Sequence, residues 1–293
     1  MVDFSKMTFN GFRPEKDDER RHADFAAIRN RMSATAPPGG SDLRRWASPR
    51  HDQASSSSCV AQAWVKALEL KRIQKYALEA LPVLGEAKAL EFGRSKHVDL
   101  SRLALYYLSR ELMSPPETDK DEGTYISVAA DVLRRFGVCR EAPDPDKPGD
   151  TAFWPFDLNK VFVSPSWSAM RSAYVHKIDS WHKIYSVGHD RVDDVIQSLS
   201  AGNPVVWGTA VGQNWMGYDG TPIGTLDGKS LGGHATVLVG WDAAEEFFWG
   251  ENSWGMGWGP DDGFYKLRPE VVESYLSSDF ICATSGWEAF HLS

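Results

Sequence analysis

From residue 58 to about 73, apolar side chains recur at helical spacing: Val60, Trp64 and Leu68 lie four apart, and Ala61 and Val65 follow the neighbouring row. The serines at 55–58 offer N-cap oxygens ahead of that run. The spacing predicts two further helices in this half, over 101–112 and 124–136. In the second, Ile126, Ala129, Val132, Leu133 and Phe136 make one stripe, and Gly137 suits the position just past a helix end. After a breaker-rich stretch at 142–150 the pattern changes. One short helix fits 191–201. Strand-like runs follow at 205–211, 235–239, 247–250, 264–267 and 280–283, separated by glycine and turn residues. Helices first and strands later predict an α+β chain rather than alternating α/β.

Residues 1–41 stand apart. The stretch 15–31 is densely charged with both signs, reading as a surface helix or as disorder, and Ala36-Pro37-Pro38-Gly39-Gly40-Ser41 reads as a linker. The expected organisation is an extension over 1–41, a mainly helical part over 42–150 and a mainly β part over 151–293.

Composition changes this picture only by exclusion. The chain has 293 residues, 42% hydrophobic and 25% charged, as in ordinary globular proteins. A net charge of −8 argues against nonspecific nucleic-acid binding over the whole surface. No stretch approaches the roughly 18 apolar residues needed to span a bilayer, so no membrane partner is expected. No basic start followed by an apolar run marks a secretory signal; the expected location is cytoplasmic, or outside by a route that needs no such signal. The three cysteines, Cys59, Cys139 and Cys282, cannot build a disulfide framework. Twelve tryptophans fill a core or line a groove. No cofactor and no metal are expected, and a monomer is favoured.

Cys59 carries the most chemical information. It falls at the first turn of a predicted helix, where backbone N–H groups and the helix dipole favour a thiolate. A thiol on an apolar helix is ordinarily structural, but the small polar residues before this one leave room for another backbone. Cys139 and Cys282 lack that setting. A thiolate needs a base, and the base needs an orienting partner. Among eight histidines, only His234 stands at a Gly-Gly to strand junction, in GGHATVLVGW. Glu251-Asn252-Ser253-Trp254-Gly255 follows at the end of the next strand. The Asn252 amide could hold one imidazole tautomer, and Trp254 could roof that bond.

These residues resemble the papain family of cysteine peptidases. Asp42-Leu43-Arg44 is similar to the family's mature N-terminus. Gln53, five residues and then Cys59 resembles its oxyanion-hole and nucleophile motif. Gly233-His234-Ala235 through Val239-Gly240-Trp241 resembles the histidine motif. Asn252-Ser253-Trp254-Gly255, continuing through Gly257-Trp258-Gly259, resembles the asparagine motif. The match runs through about residues 42–285, and the layout is similar to compact bacterial members such as xylellain.

The resemblance implies two lobes, one helical and one an antiparallel barrel-like sheet, with a peptide or protein substrate bound in the cleft between them. It implies Cys59 as nucleophile, His234 as general base and acid, Asn252 as orienter and Gln53 as oxyanion donor. Gly123, Gly233, Trp254 and Trp258 would line the substrate site. The departures are Ser57 and Val60 beside the cysteine, Ser56 where many members have a disulfide cysteine, Thr236 in place of an aliphatic residue, and the longer Pro260-Asp261-Asp262.

The activity expected is thiol-dependent peptide-bond hydrolysis. Isopeptide cleavage or acyl or amide transfer would use the same triad, and an inactive peptide-binding module is the alternative of another class. Three further expectations are specific. Cys59 and His234 should share a hydrogen bond or ion pair, with thiolate present near neutral pH. Gly233 should widen a pocket for bulky apolar residues, with the acidic 117–122 loop favouring basic groups nearby. Residues 1–12 or so, with Phe4, Phe9 and Phe12, either cover part of the cleft as a short pro-segment or belong to a solvated tail or a charged helix packed on the lobe surface.

Overall fold

The computed structural model of the chain describes residues 9–15, 22–29, 37, 39–226, 228–274 and 276–285. Its axis is one 26-residue helix, Cys59–Leu84, whose residues from Cys59 to Leu70 are all buried. Helices Arg102–Leu112 and Ile126–Arg135 pack beside it. Ser101 Oγ accepts the Ala104 N–H at the start of the first, and Gly137, at φ +80°, follows the second. The central helix outruns its apolar pattern by about three turns. Past Ile73 the buried side chains are only Gln74 and Ala77, so periodicity fades. The helix persists because a second one, Glu86–Ser95, folds back along it. At Gly93 the two backbones come so close that a Cβ would sit 2.5 Å from the Ile73 carbonyl oxygen.

Seven strands make one antiparallel sheet: β1 Gly40–Asp42, β2 Ser180–Lys183, β3 Val205–Val211, β4 Gly232–Asp242, β5 Phe247–Glu251, β6 Phe264–Leu267 and β7 Ser277–Ser285. Their order is β2-β7-β3-β4-β5-β6, with β1 beside β4. The sheet therefore ends in β2 and β6 and does not close, where a barrel-like lobe was expected. Every residue of β3 except Ala210 is buried, and the central helix lies against β4. Helix His189–Ser200 covers the sheet with Val192, Val195 and Leu199.

The run read as a linker at 36–41 ends in structure: Gly40 and Ser41 pair with Asp242 and Trp241. Gly40 has φ +92°, and a Cβ there would run into the Trp241 carbonyl. Of the charged stretch at 15–31, residues 16–21 and 30–31 lie outside the described residues. The described part holds one helical turn, Ala26–Arg29, and a fully buried Phe25 whose N–H donates to the Lys183 carbonyl. After residue 150 the chain stays on the helical side for a while: Arg110 donates to the Val161 carbonyl, and Val138 N–H to that of His176. It joins the sheet at β2.

Candidate active site

Cys59 opens the central helix, directly below the loop Gln53–Ser58. Ser58 holds the N-cap position, yet its hydroxyl does not cap the helix. It is shared with Ser56 Oγ (2.7 Å) and Gln62 Nε2 (3.0 Å). Gln53 is fixed at both ends of its amide. Nε2 donates to the Ser56 carbonyl at 2.9 Å, and Oε1 accepts Ser253 Oγ at 2.7 Å. The Gln53 N–H also donates to the Ser253 carbonyl (2.8 Å). Among the described residues the second Nε2 hydrogen has no acceptor.

His234 enters from β4 and Asn252 follows β5. Their side chains meet at 2.8 Å, Nε2 to Oδ1, and the same oxygen accepts the Ser253 N–H at 2.8 Å. An amide oxygen only accepts, so Nε2 carries the proton and Nδ1 is the basic nitrogen. Trp254 stacks on the imidazole at 4.6 Å, and Trp215 meets it edge-on at 6.2 Å. Both tryptophans are buried, so water is kept from the His234–Asn252 bond.

The thiol does not form the ion pair expected from sequence. Sγ accepts the Ala235 N–H at 3.4 Å and, among the described residues, no hydrogen bond joins it to the imidazole. Burial pushes the Cys59 thiol up to about 12 against the help of the Ala235 N–H, and burial pushes His234 down to about 4 against the Asn252 bond. Both shifts favour the neutral forms at pH 7.

The N-terminal segment adds to the cover over the thiol. Residues 9–13 run through the cleft as an extended chain. Asn10 bridges Gly233 and Phe12 bridges Thr124, both in parallel sense. Thr124 N–H donates to the Gly11 carbonyl and Arg13 N–H to the Thr124 carbonyl, each 3.1 Å. Gly11 crosses the Cys59 thiol: a Cβ there would stand 2.5 Å from Sγ and 2.8 Å from the Ser57 carbonyl oxygen. The Phe12 ring is 6% exposed and lies where a Cβ on Gly208 would be. Phe9 meets Trp254 edge-on at 5.8 Å. Arg13 pairs with Glu117 (2.7 Å) and Glu122 (3.3 Å), on the acidic loop singled out in the sequence.

A polar clasp holds the segment farther along. Glu15 accepts from Ser127 Oγ and Lys183 Nζ and lies 3.3 Å from His22 Nε2, while Lys183 also binds Asp279 at 2.6 Å. Burial works to raise the Glu15 carboxyl. The His22 and Ser127 contacts and the Lys183 charge outweigh it and hold the group at about 2.

The other candidates sort as follows. Gly123, at φ +80°, leaves room for the backbone of Asn10 and Gly11, but the hydrogen bonds to the segment come from Thr124, which sequence reasoning missed. A Cβ on Gly233 would be 2.6 Å from the Phe12 carbonyl oxygen, so its smallness admits backbone as well as pocket space. Trp258 lies a layer deeper than expected. It is 2% exposed and stacked between Trp215 and Tyr218, and it braces Trp254 edge-on at 5.3 Å. Gly208 carries no local signal, and only strand pairing brings it here; Ser253 lies in the asparagine motif, but its bond to Gln53 is visible only in the fold.

The departures find partners. Thr236 Oγ1 and Tyr265 Oη are 2.6 Å apart, Ser57 binds Asp121, and Asp261 accepts the Tyr218 hydroxyl at 2.7 Å. All three cysteines are free and buried. Glu69, His97 and Asp99 are grouped closely enough to hold a metal ion. The Glu69 carboxylate there is already taken by Leu100 N–H, Ser48 Oγ and His51, which matches a structural carboxylate. Among the described residues no helix is long and apolar enough to cross a membrane.

Several known proteins are similar to this chain. An uncharacterized peptidase C1-like protein of Acanthamoeba polyphaga mimivirus is 30% identical over 61% of this chain and 57% of its own length. A cathepsin B-like protease of Arabidopsis thaliana is 31% identical over 34% of the chain and 28% of its own length. The chain thus spans little more than half of the first relative and less of the second. The crystal structure of xylellain, a cysteine protease from Xylella fastidiosa, superposes with a TM-score of 0.69 at 25% identity, covering 94% of this chain and 95% of that one. The family model for papain family cysteine proteases matches residues 122–284, more than half of the sequence, and the chain belongs to that family.

Proposed function

We propose that this chain hydrolyses peptide bonds through a thioester at Cys59, and that residues 9–13 hold it in a closed form. The observation that carries the reading is the segment itself: the cleft already holds an extended peptide, hydrogen-bonded along Thr124, with Gly11 against the thiol. Main-chain pairing of this kind is a general way to recognise an extended peptide, and side-chain contacts of Phe9, Phe12 and Arg13 add to it.

When the segment leaves, water reaches the dyad and the burial that suppresses both charges is relieved. The thiol proton passes to His234 Nδ1. The thiolate sulfur attacks the carbonyl carbon, and the oxyanion is met by the free Gln53 Nε2 hydrogen and the Cys59 N–H. The C–N bond breaks, the imidazolium returns its proton to the leaving amine, and a thioester remains. Water then attacks that thioester with His234 as base, releasing the acid and restoring the thiol. Asn252 keeps the imidazole in the tautomer that both steps need.

Phe12 stands in for a bulky apolar substrate residue, in a pocket floored by Gly208. Arg13 beside Glu117 and Glu122 supports a preference for basic groups at that rim. The test compares the full chain with one beginning at Ser41, using a fluorogenic peptide with an aromatic residue for this pocket and Cys59→Ala as control. Faster cleavage by the shorter chain supports both parts. Equal rates remove the inhibitory role, and absence of cleavage with intact labelling by a thiol-reactive peptide probe removes hydrolysis.

A further inference from the structure

Between the cysteine loop and the peptide-pairing edge stands one carboxylate that the chemistry above leaves unused. Asp121 Oδ1 accepts the Ser57 N–H at 3.0 Å and the Tyr106 hydroxyl at 2.6 Å. Its main-chain carbonyl accepts Ser57 Oγ at 2.8 Å. The Tyr106 hydroxyl in turn accepts the Gly123 N–H at 3.0 Å. Ser57, Tyr106 and Thr124 are each 0% exposed. We infer that Asp121 is a positioning residue, which sets the spacing between the nucleophile's loop and the Gly123–Thr124 edge that pairs with a bound peptide.

Each end of this chain of bonds lies next to chemistry. Ser57 is two residues before Cys59, and its carbonyl lies under Gly11. Gly123 precedes the residue that both donates to and accepts from the bound segment. Tyr106 is a rigid post: it sits in the middle of helix Arg102–Leu112 with the Arg110 guanidinium over its ring at 4.1 Å. Arg110 also donates to the Lys120 carbonyl, fixing the residue before Asp121. The carboxylate sits here against the interest of the thiolate, since its charge works to raise the Cys59 thiol. A group kept in spite of that cost is there for geometry: one carboxylate oxygen accepts from two donors at once, and the carbonyl of the same residue accepts from a third.

The inference rests on the peptidase reading for its effect on substrate, and the experiment separates the two. In the full chain, alkylation of Cys59 by iodoacetamide, followed by mass spectrometry, reports seating of residues 9–13 without any substrate. Asp121→Ala should raise that rate about tenfold, the scale of one or two lost hydrogen bonds. Asp121→Asn keeps an acceptor oxygen without the charge and should remain within about twofold of the parent. In a full-length Gly11→Val background, Asp121→Ala should raise KM for an extended peptide about tenfold with kcat nearly unchanged, and Asp121→Asn should restore KM.

Should Asp121→Ala not fold, Tyr106→Phe breaks the same chain at its middle and should move both readouts in the same direction. An unchanged alkylation rate in a folded Asp121→Ala or Tyr106→Phe protein overturns the inference. Equal rises for the Asn and Ala variants also overturn it, because the effect is then one of charge. An alkylation response without hydrolysis of any peptide leaves the positioning role standing and removes the peptidase reading.

Discussion

Gly11 of the N-terminal segment lies directly over the sulfur of Cys59, so closely that a single added carbon would stand 2.5 Å from Sγ. A glycine at this point lets the backbone pass between the Cys59 thiol and the open side of the cleft. Any side chain would have to displace either the sulfur or the Ser57 carbonyl, and the latter belongs to a loop fixed by its own hydrogen bonds. Replacing Gly11 with valine should therefore lift the segment. The full-length variant should hydrolyse a small peptide at a rate approaching that of a chain starting at Ser41. Its Cys59 should alkylate at lower pH than in the parent, where burial holds the thiol at about 12. Parent-like alkylation in a folded Gly11→Val protein would show that the segment tolerates the side chain.

Among the described residues one Gln53 amide hydrogen has no acceptor, while the other and the carbonyl oxygen are both engaged. That preorganisation predicts a loss of about 10²-fold in kcat for Gln53→Ala with little change in KM, the usual scale for one oxyanion donor. Cys59→Ser should abolish turnover, and Asn252→Ala should lower it less, because both reacting groups remain. Single-turnover kinetics on each variant separate acylation from binding.

The pocket that receives Phe12 is deep because residue 208 lacks a side chain. Gly208→Val should exclude aromatic residues while admitting small ones. A peptide-library profile should show the shift, with the cost for aromatic substrates appearing mainly in kcat/KM. An unchanged profile would place the specificity pocket elsewhere.

The clasp at Glu15 sets a pH limit on seating. Its carboxyl is held at about 2, below the ordinary 4.5, so the native state binds fewer protons here than the released one. Its contribution is then fully present above pH 4.5 and is lost as the pH falls from there towards 2. Hydrogen–deuterium exchange of residues 9–15 should stay slow at pH 5 and rise progressively below 4.5. In Glu15→Gln it should be faster already at pH 5 and lack that step.

Under the site, Lys66 on the central helix meets Glu251 at 3.1 Å, one residue before Asn252, and Arg50 meets the same carboxylate at 3.0 Å. Glu251 and Lys66 are each 3% exposed. Removing one partner leaves buried charge uncompensated, so Glu251→Leu should destabilise the fold by about 3–5 kcal/mol. Denaturant unfolding measures it. A loss below about 1 kcal/mol would mean that the pair is solvated after all.

Local chemistry made much of this protein legible from its sequence. The stripe Val60-Trp64-Leu68, the cap at Gly137 and the runs at 205–211 and 264–267 are short-range patterns, and they appear in the structure nearly as spaced. The same holds for His234 and Asn252, since a residue at a strand start and another at the next strand's end are neighbours whenever those strands pair. What depended on partners was not legible. The last turns of Cys59–Leu84 exist because Glu86–Ser95 packs against them, and β1 and β2 are too short to show alternation without β4 and β7 beside them. Whether a seven-stranded sheet closes depends on its register and accumulated twist, which no single strand encodes. The protonation state of the dyad was likewise decided in three dimensions. Sequence put Cys59 at a helix start, which lowers a thiol; only the tertiary fold lays Gly11 across it, and burial then outweighs the helix.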